Sequence, residues 1–162
     1  MYEYNAELVN VVDGDTVDVN IDLGFGIWIR NERIRIMGID TPESRTRDLD
    51  EKVFGLAAKE RVKKLLTGVG ENKECILCTT KDRHGEDERG KFGRVLGDFK
   101  VRTEINEQRM LTEILIDEFH AVPYQGGSKH ALEELHAENR KNLIEAGKVM
   151  LPSSFTLGKL NN

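Results

Sequence analysis

From Thr16 to Asp22 the chain alternates without a break, with Val17, Val19 and Ile21 on one side and Asp18, Asn20 and Asp22 on the other. A period of two belongs to a β-strand with one face on a core and the other in water, and a helix cannot use it. Upstream, Ala6 to Val12 is rich in strand-forming residues and ends at Asp13-Gly14, a strong turn signal, so the two runs form a hairpin. By parity Asp15 falls on the apolar side, at the mouth of the core-facing row. A carboxylate there needs a partner, because burying it bare is costly. Gly24-Phe25-Gly26 breaks the run. A third strand is expected over Ile27–Ile39, with Ile34 and Ile36 on one face and Arg33 and Arg35 on the other.

The rest of the chain mixes both periods. Phe54, Ala58, Val62 and Leu65 recur at spacings of four and three, which predicts a helix over 52–67, closed by Gly68 and Gly70. Strands are expected over 75–80 and 93–101, separated by a polar loop. Two further helices are expected over 108–119 and 128–146. The first has a stripe of Leu111, Ile114, Leu115 and Phe119, and the second turns Leu132, Leu135, Leu143 and Ala146 inward. The order β-β-β-α-β-β-α-α suits a small closed barrel flanked by helices better than alternating βαβ units. The fold class is therefore α+β with a mainly β core. One domain is expected over residues 1–150, with a short C-terminal tail over 151–162.

Charge and composition narrow the function. The net charge of −5 argues against a protein that coats nucleic acid, although Arg30, Arg33 and Arg35 against Glu32 make one local basic segment. Basic patches on an acidic body suit a focused phosphate site. No apolar run approaches the roughly 18 residues of a membrane span, and the first residues lack the basic head and apolar core of a signal peptide. The expectation is an intracellular, cytoplasmic monomer with no membrane partner. Cys75 and Cys78 form a single C-x-x-C with no matching ligand pair nearby. On a strand, residues three apart diverge, so these read as structural thiols.

Three clusters carry chemistry: Asp13-Gly14-Asp15-Thr16, Arg35 through Glu43 (R-I-M-G-I-D-T-P-E), and Gly90-Lys91-Phe92-Gly93-Arg94. Together they offer hard oxygen donors, which suit a hard divalent ion, and two guanidinium groups, which bind phosphate in a planar fork. Each has a plainer reading. Asp-Gly-Asp is commonly a solvated turn, and Thr41-Pro42-Glu43 could open a helix. Arg33 and Arg35 could protect a strand edge, and Lys91 to Arg94 could be a basic bend. Their joint occurrence is harder to explain that way.

The order D-G-D-T, R-x-x-G-I-D-T-P-E, G-K-F-G-R and A-V-P-Y resembles the thermonuclease family, whose type member is staphylococcal nuclease. The resemblance runs from about Val9 to Ala146. It implies a five-stranded OB-type barrel with three flanking helices, and a calcium-dependent nuclease that cuts DNA or RNA by in-line attack of water, leaving 3′-phosphate ends. It further implies calcium held by Asp15, Asp40 and the Thr41 carbonyl, with Glu43 holding the attacking water. Arg35 and Arg94 would bind the phosphate and stabilise the transition state, while Lys91 and Tyr124 would contact substrate. Where family members often carry Asp-Lys-Tyr-Gly-Arg, this chain has Gly90 and Phe92, which hints at less preference for chain ends. Extra residues around 23–30, 44–49 and 82–89 lengthen loops near the site.

Two rival functions remain. An OB-type module that only binds single strands would carry several stacking aromatics on its strands, yet the chain is 6% aromatic with one tryptophan. A metal-binding structural domain would not call for both arginines. His84, His120, His130 and His136 read as solvated or capping residues. The last two, six apart on one helix, face different ways.

Overall fold

The structure, a computed structural model, describes residues 1–68, 75–80 and 93–152. In chain order the elements are β1 (Tyr2–Asp13), β2 (Thr16–Asp22), β3 (Trp28–Ile36), β4 (Ile39–Asp40), α1 (Leu49–Thr67), β5 (Cys75–Thr79), β6 (Val95–Arg102), β7 (Gln108–Met110), α2 (Leu111–Asp117), β8 (Val122–Pro123) and α3 (Lys129–Glu145). The alternating run of β2 pairs antiparallel with both β1 and β3, and its apolar side is sealed: Val17, Val19 and Ile21 are all buried. The strands follow the order β3-β2-β1-β5-β6, and a parallel pairing of β3 with β6 joins the two ends. Closure turns the sheet into a five-stranded barrel and removes two free edges at once. Ile34, Ile36, Leu77, Phe99 and Val101 fill it together with the β2 row.

Helix α1 covers the barrel with the face its spacing predicts, Phe54, Ala58, Val62 and Leu65 all being buried. It starts at Leu49, earlier than the expected residue 52, because Asp48 caps it, accepting from the amides of Asp50 (3.0 Å) and Glu51 (3.1 Å). Arg61 on its outer side is bound by the carboxylates of Glu104 and Glu118, which ties α1 to the segment after β6 and to the end of α2. Cys75 and Cys78 are free and both buried, and burial pushes the Cys75 thiol up to about 12, so both are protonated packing groups.

Three expectations are corrected. The long third strand is two strands, because Gly38 at φ 77° turns the chain between β3 and β4. Asp40 thereby leaves the barrel and pairs with Val122 of β8. The start of the second predicted helix is strand β7, where Gln108 to Met110 extend the sheet beside β6. Helix α2 begins only at Leu111, where Asp98 accepts from the Thr112 amide (3.3 Å) and hydroxyl (2.5 Å). In α3 only Leu143 is buried, while Leu135 and Ala146 are exposed. The stripe it turns toward the body is His136, Asn139, Arg140 and Leu143, and Asn139 donates to the Ala121 carbonyl at 3.0 Å.

Candidate active site

The β1–β2 turn and the segment after β4 meet above α1, and glycine sets how closely they approach. A Cβ at Gly14 would lie 2.9 Å from the Ala58 Cβ and 3.0 Å from the Thr41 hydroxyl oxygen. At Gly55 it would lie 2.3 Å from the Glu43 carbonyl oxygen. Real Cβ atoms do not stand that close, so the Asp13–Thr16 turn and the Thr41–Ser44 segment both rest on α1 through missing side chains. The Thr41–Ser44 segment is pinned again from the other side. The Ser44 hydroxyl donates to Asp13, and Arg45 reaches the other Asp13 oxygen at 3.2 Å.

This stacking gathers the acids. Asp15 is largely buried, accepts from the Thr16 hydroxyl at 3.0 Å and stands 3.4 Å from an Arg35 Nη2. Burial raises its pKa above the ordinary carboxylate value. Arg35 and Thr16 oppose that shift, and the nearby charges of Asp40 and Asp13 add to it. The Glu43 carboxyl is raised as well, by desolvation first and then by Asp13, Asp15, Glu51 and Asp40. Asp13 and Asp40 thus act on Asp15, and all three act on Glu43, with Arg35 beside Asp15 and Arg45 beside Asp13. Arg35 is fixed by backbone: its Nη1 donates to the carbonyls of Asp15 (3.4 Å) and Ile36 (2.5 Å), and its Nη2 to that of Ile39 (3.0 Å). A five-donor fork held by carbonyls cannot swing, so its remaining edge keeps one direction.

The other expected residues fall as follows. Arg94 precedes β6, and the β3–β6 register (Ile34 with Val95, Arg35 with Leu96) brings it beside β3, where it lines a surface hollow with Asp18, Asn31, Arg33 and Gly93. Tyr124 follows β8, is 39% exposed and donates its amide to the Gly38 carbonyl at 2.9 Å, beside the β3–β4 turn. Lys91, with Gly90, Phe92 and the 82–89 loop, lies outside the described residues.

One group escaped the sequence reading. His136, expected to be solvated or capping, is 12% exposed in its side chain and places Nε2 2.7 Å from Asp40 Oδ2. Its Nδ1 is buried without a hydrogen-bond partner among the described residues, which puts the proton of a neutral ring on Nε2, donating to the carboxylate. The contact arises only where α3 packs against the β4–β8 pair. A period-3.6 spacing to Asn139, Arg140 and Leu143 was available as a signal, but a search for leucine stripes passes over it. His120 also departs from the expectation: burial lowers its pKa, and it lines a different hollow with Arg61, Glu104 and Glu118. His130 is exposed, as expected, beside Glu134 at 3.3 Å.

The family described as staphylococcal nuclease homologue matches residues 33–145, most of the chain, with all of the second motif inside the match and the Asp13–Thr16 motif before it. The chain belongs to the staphylococcal nuclease homologue family. Its closed five-stranded barrel with three helices is the fold expected of that family. The chain is also similar to Protein ParB of Escherichia coli, at 29% identity over 103 residues, covering 64% of this chain and 45% of that protein. The chain thus spans about half the length of the curated relative it matches.

For this staphylococcal nuclease homologue a calcium ion can be tested against the donors present. Among the described residues no three His, Cys, Asp or Glu side chains cluster tightly enough to hold a metal by themselves. Asp15, Asp40 and the Thr41 carbonyl are hard oxygens, and the mutual repulsion of the acids is what a bound cation relieves. The donor set fits a hard ion that keeps much of its water. Among the described residues, no helix is long and apolar enough to cross a membrane.

Proposed function

We propose that the chain is a calcium-dependent nuclease that hydrolyses phosphodiester bonds of DNA or RNA by in-line attack of water and leaves 3′-phosphate ends. Family membership supports the coarser statement, a nuclease-like or nucleic-acid-binding function. The observation that carries the finer one is the surplus of acids around Arg35. Asp13 and Asp40 add to the burial that raises the proton affinity of Asp15, and Asp13, Asp15 and Asp40 do the same for Glu43. Arg35 meets Asp15, Arg45 meets Asp13 and His136 meets Asp40, yet burial and the neighbouring charges still raise Asp15 and Glu43, the pattern of a site that a cation completes.

In this reading Asp15, Asp40 and the Thr41 carbonyl would hold calcium, which supplies a Lewis acid for the phosphoryl oxygen when bound. The chain's own residues do the rest. Arg35, already oriented by the carbonyls of Asp15, Ile36 and Ile39, presents donors to a non-bridging phosphate oxygen without paying to order itself. Arg94, arriving from β6, meets the phosphate from the other side as its charge grows. Glu43, on the segment held by Gly55 and by the Ser44–Asp13 bond, orients water in line with the leaving 5′-oxygen and accepts its proton. Lys91 and Tyr124 contact the substrate backbone.

The experiment is direct. The purified protein is incubated with linear DNA, circular DNA and RNA, in calcium or in excess chelator, and the ends of any product are mapped. Cleavage in calcium, its loss in chelator and 3′-phosphate ends are expected. Cleavage undiminished by chelator overturns the calcium role. Binding without cleavage in every condition leaves instead a single-strand binding module.

A further inference from the structure

We propose that the β2–β3 hairpin is a docking track for unpaired bases, on which Trp28, Arg30 and Phe25 stack nucleotides of a single strand whose scissile phosphate lies at Arg35. The proposal rests on the nuclease reading and adds to it a binding site remote from the chemistry.

The hairpin tip is built against the interest of the fold. Phe25 is fully exposed at φ 54°, between Gly24 at φ 80° and Gly26 at φ 74°. A bulky residue in the left-handed region is strained, and this one buries nothing in return. Leu23, Ile27 and Ile29 beside it are 42, 57 and 38% exposed, so the tip is an apolar knob standing in water.

Register connects the knob to the candidate site. Thr16 pairs with Arg35, Asp18 with Arg33 and Asp22 with Trp28, so Arg35, Arg33 and Trp28 share the outward face of the hairpin. The extra residue at Asn31 (φ 55°), whose amide donates to the Asn20 side chain at 3.0 Å, keeps that phase through the bulge. The hollow lined by Asn31, Arg33 and Arg94 lies along the same route. At its outer end the Arg30 guanidinium sits 4.8 Å from the centre of the Trp28 ring. An arginine plane lying on an indole extends the stack to a base.

Glu32 lines the same hollow, and two of the other neighbouring acids are engaged within the hairpin. Asp18 holds Arg33 through two bonds of 2.8 and 3.1 Å, and Asp22 accepts from the Gly24 amide at 2.8 Å. From Thr16 to Asp22 a strand covers ~20 Å, the reach of about six nucleotides at the ~3.4 Å spacing of a stacked strand. That lies within the roughly 4–16 nucleotides typical of an OB-type barrel. Bases paired within a duplex offer no free faces to these side chains, which selects single strands.

Trp28 is the only tryptophan, so its emission reports on the track directly. The full chain in chelator is titrated with oligothymidylates of 4 and 12 nucleotides. Quenching by the 12-mer well beyond that by the 4-mer is expected. Phe25→Ala and Arg30→Ala should each weaken 12-mer binding about 5-fold or more, the lower end of what one base stack contributes. In calcium both should raise KM for the 12-mer more than for the 4-mer. Unchanged emission at saturating 12-mer, or equal KM effects on both lengths, overturns the track. So does an emission change that follows protein concentration alone, which marks a second copy as occupant, or one produced only by lipid vesicles. Quenching without cleavage under any condition keeps the track and sinks the nuclease reading instead.

Discussion

Replacing His136 tests how α3 contributes to the site. Nε2 stands 2.7 Å from Asp40 Oδ2, with the two side chains 12 and 34% exposed. A hydrogen bond to a charged group contributes about 1.5–3 kcal/mol, and water reaching the exposed third of Asp40 replaces part of that, which leaves ~1.5–2 kcal/mol. If Asp40 is a calcium ligand, His136 holds one of its oxygens and so fixes the direction of the other. At ~1.4 kcal/mol per tenfold, His136→Ala should weaken calcium binding about 10–30-fold, inside the range known for partners that orient metal ligands. His136→Gln keeps a donor near the position of Nε2 and should recover part of the loss. The helix itself should stay docked, since Leu143, the Asn139–Ala121 bond and Arg140 over the Phe54 ring (5.6 Å) remain. The assay is calcium titration by calorimetry on the three proteins, with circular dichroism to check α3. Calcium affinities equal within twofold for His136→Ala and the natural chain would refute the reasoning, because the contact would then orient nothing the ion uses.

Other outcomes follow from the same geometry. Arg35→Lys and Arg94→Lys keep a charge but lose the planar fork, and turnover should fall on the order of 10²-fold or more for each, read in steady-state cleavage. Gly55→Ala forces a Cβ to within 2.3 Å of the Glu43 carbonyl oxygen. It should cost about 1–3 kcal/mol in chemical denaturation and displace Glu43, so that activity falls even where the protein is folded. Glu104 is held down to about 2, first by its bond to Arg61. A depressed carboxylate contributes stability above its unfolded pKa of about 4.3 and loses it as pH falls toward the folded value. With Glu104 39% exposed, water screens the pair to ~0.5–1 kcal/mol. The melting-temperature gap between the natural chain and Glu104→Gln should therefore close as pH drops below about 4, and a constant gap would contradict the assignment.

Local pattern was enough for the barrel. The alternation in Thr16–Asp22, the turn at Asp13-Gly14 and the α1 stripe each concern residues within a few positions, and burial acts on them one by one. Asp15, Arg35, Asp40, Thr41, Glu43 and Arg94 are named together by the resemblance, because it compares spacing along the chain. What spacing could not say is who touches whom. The turn at Gly38 sends Asp40 out of the barrel to β8, and β7 forms where a helix was expected because an edge strand of β6 was open to pair. The α3 face is chosen by the surface beneath it, so a half-polar stripe wins over exposed leucines and carries His136 to Asp40. Gly14 reads as a turn residue, and its close approach to Ala58, like that of Gly55 to the Glu43 carbonyl, exists only once α1 lies under both loops. The chain alone determined which side chains are apolar, charged or turn-forming. The packing of α1 and α3 against the strand ends decided which charges meet, since contact between distant segments depends on shapes that no local period records.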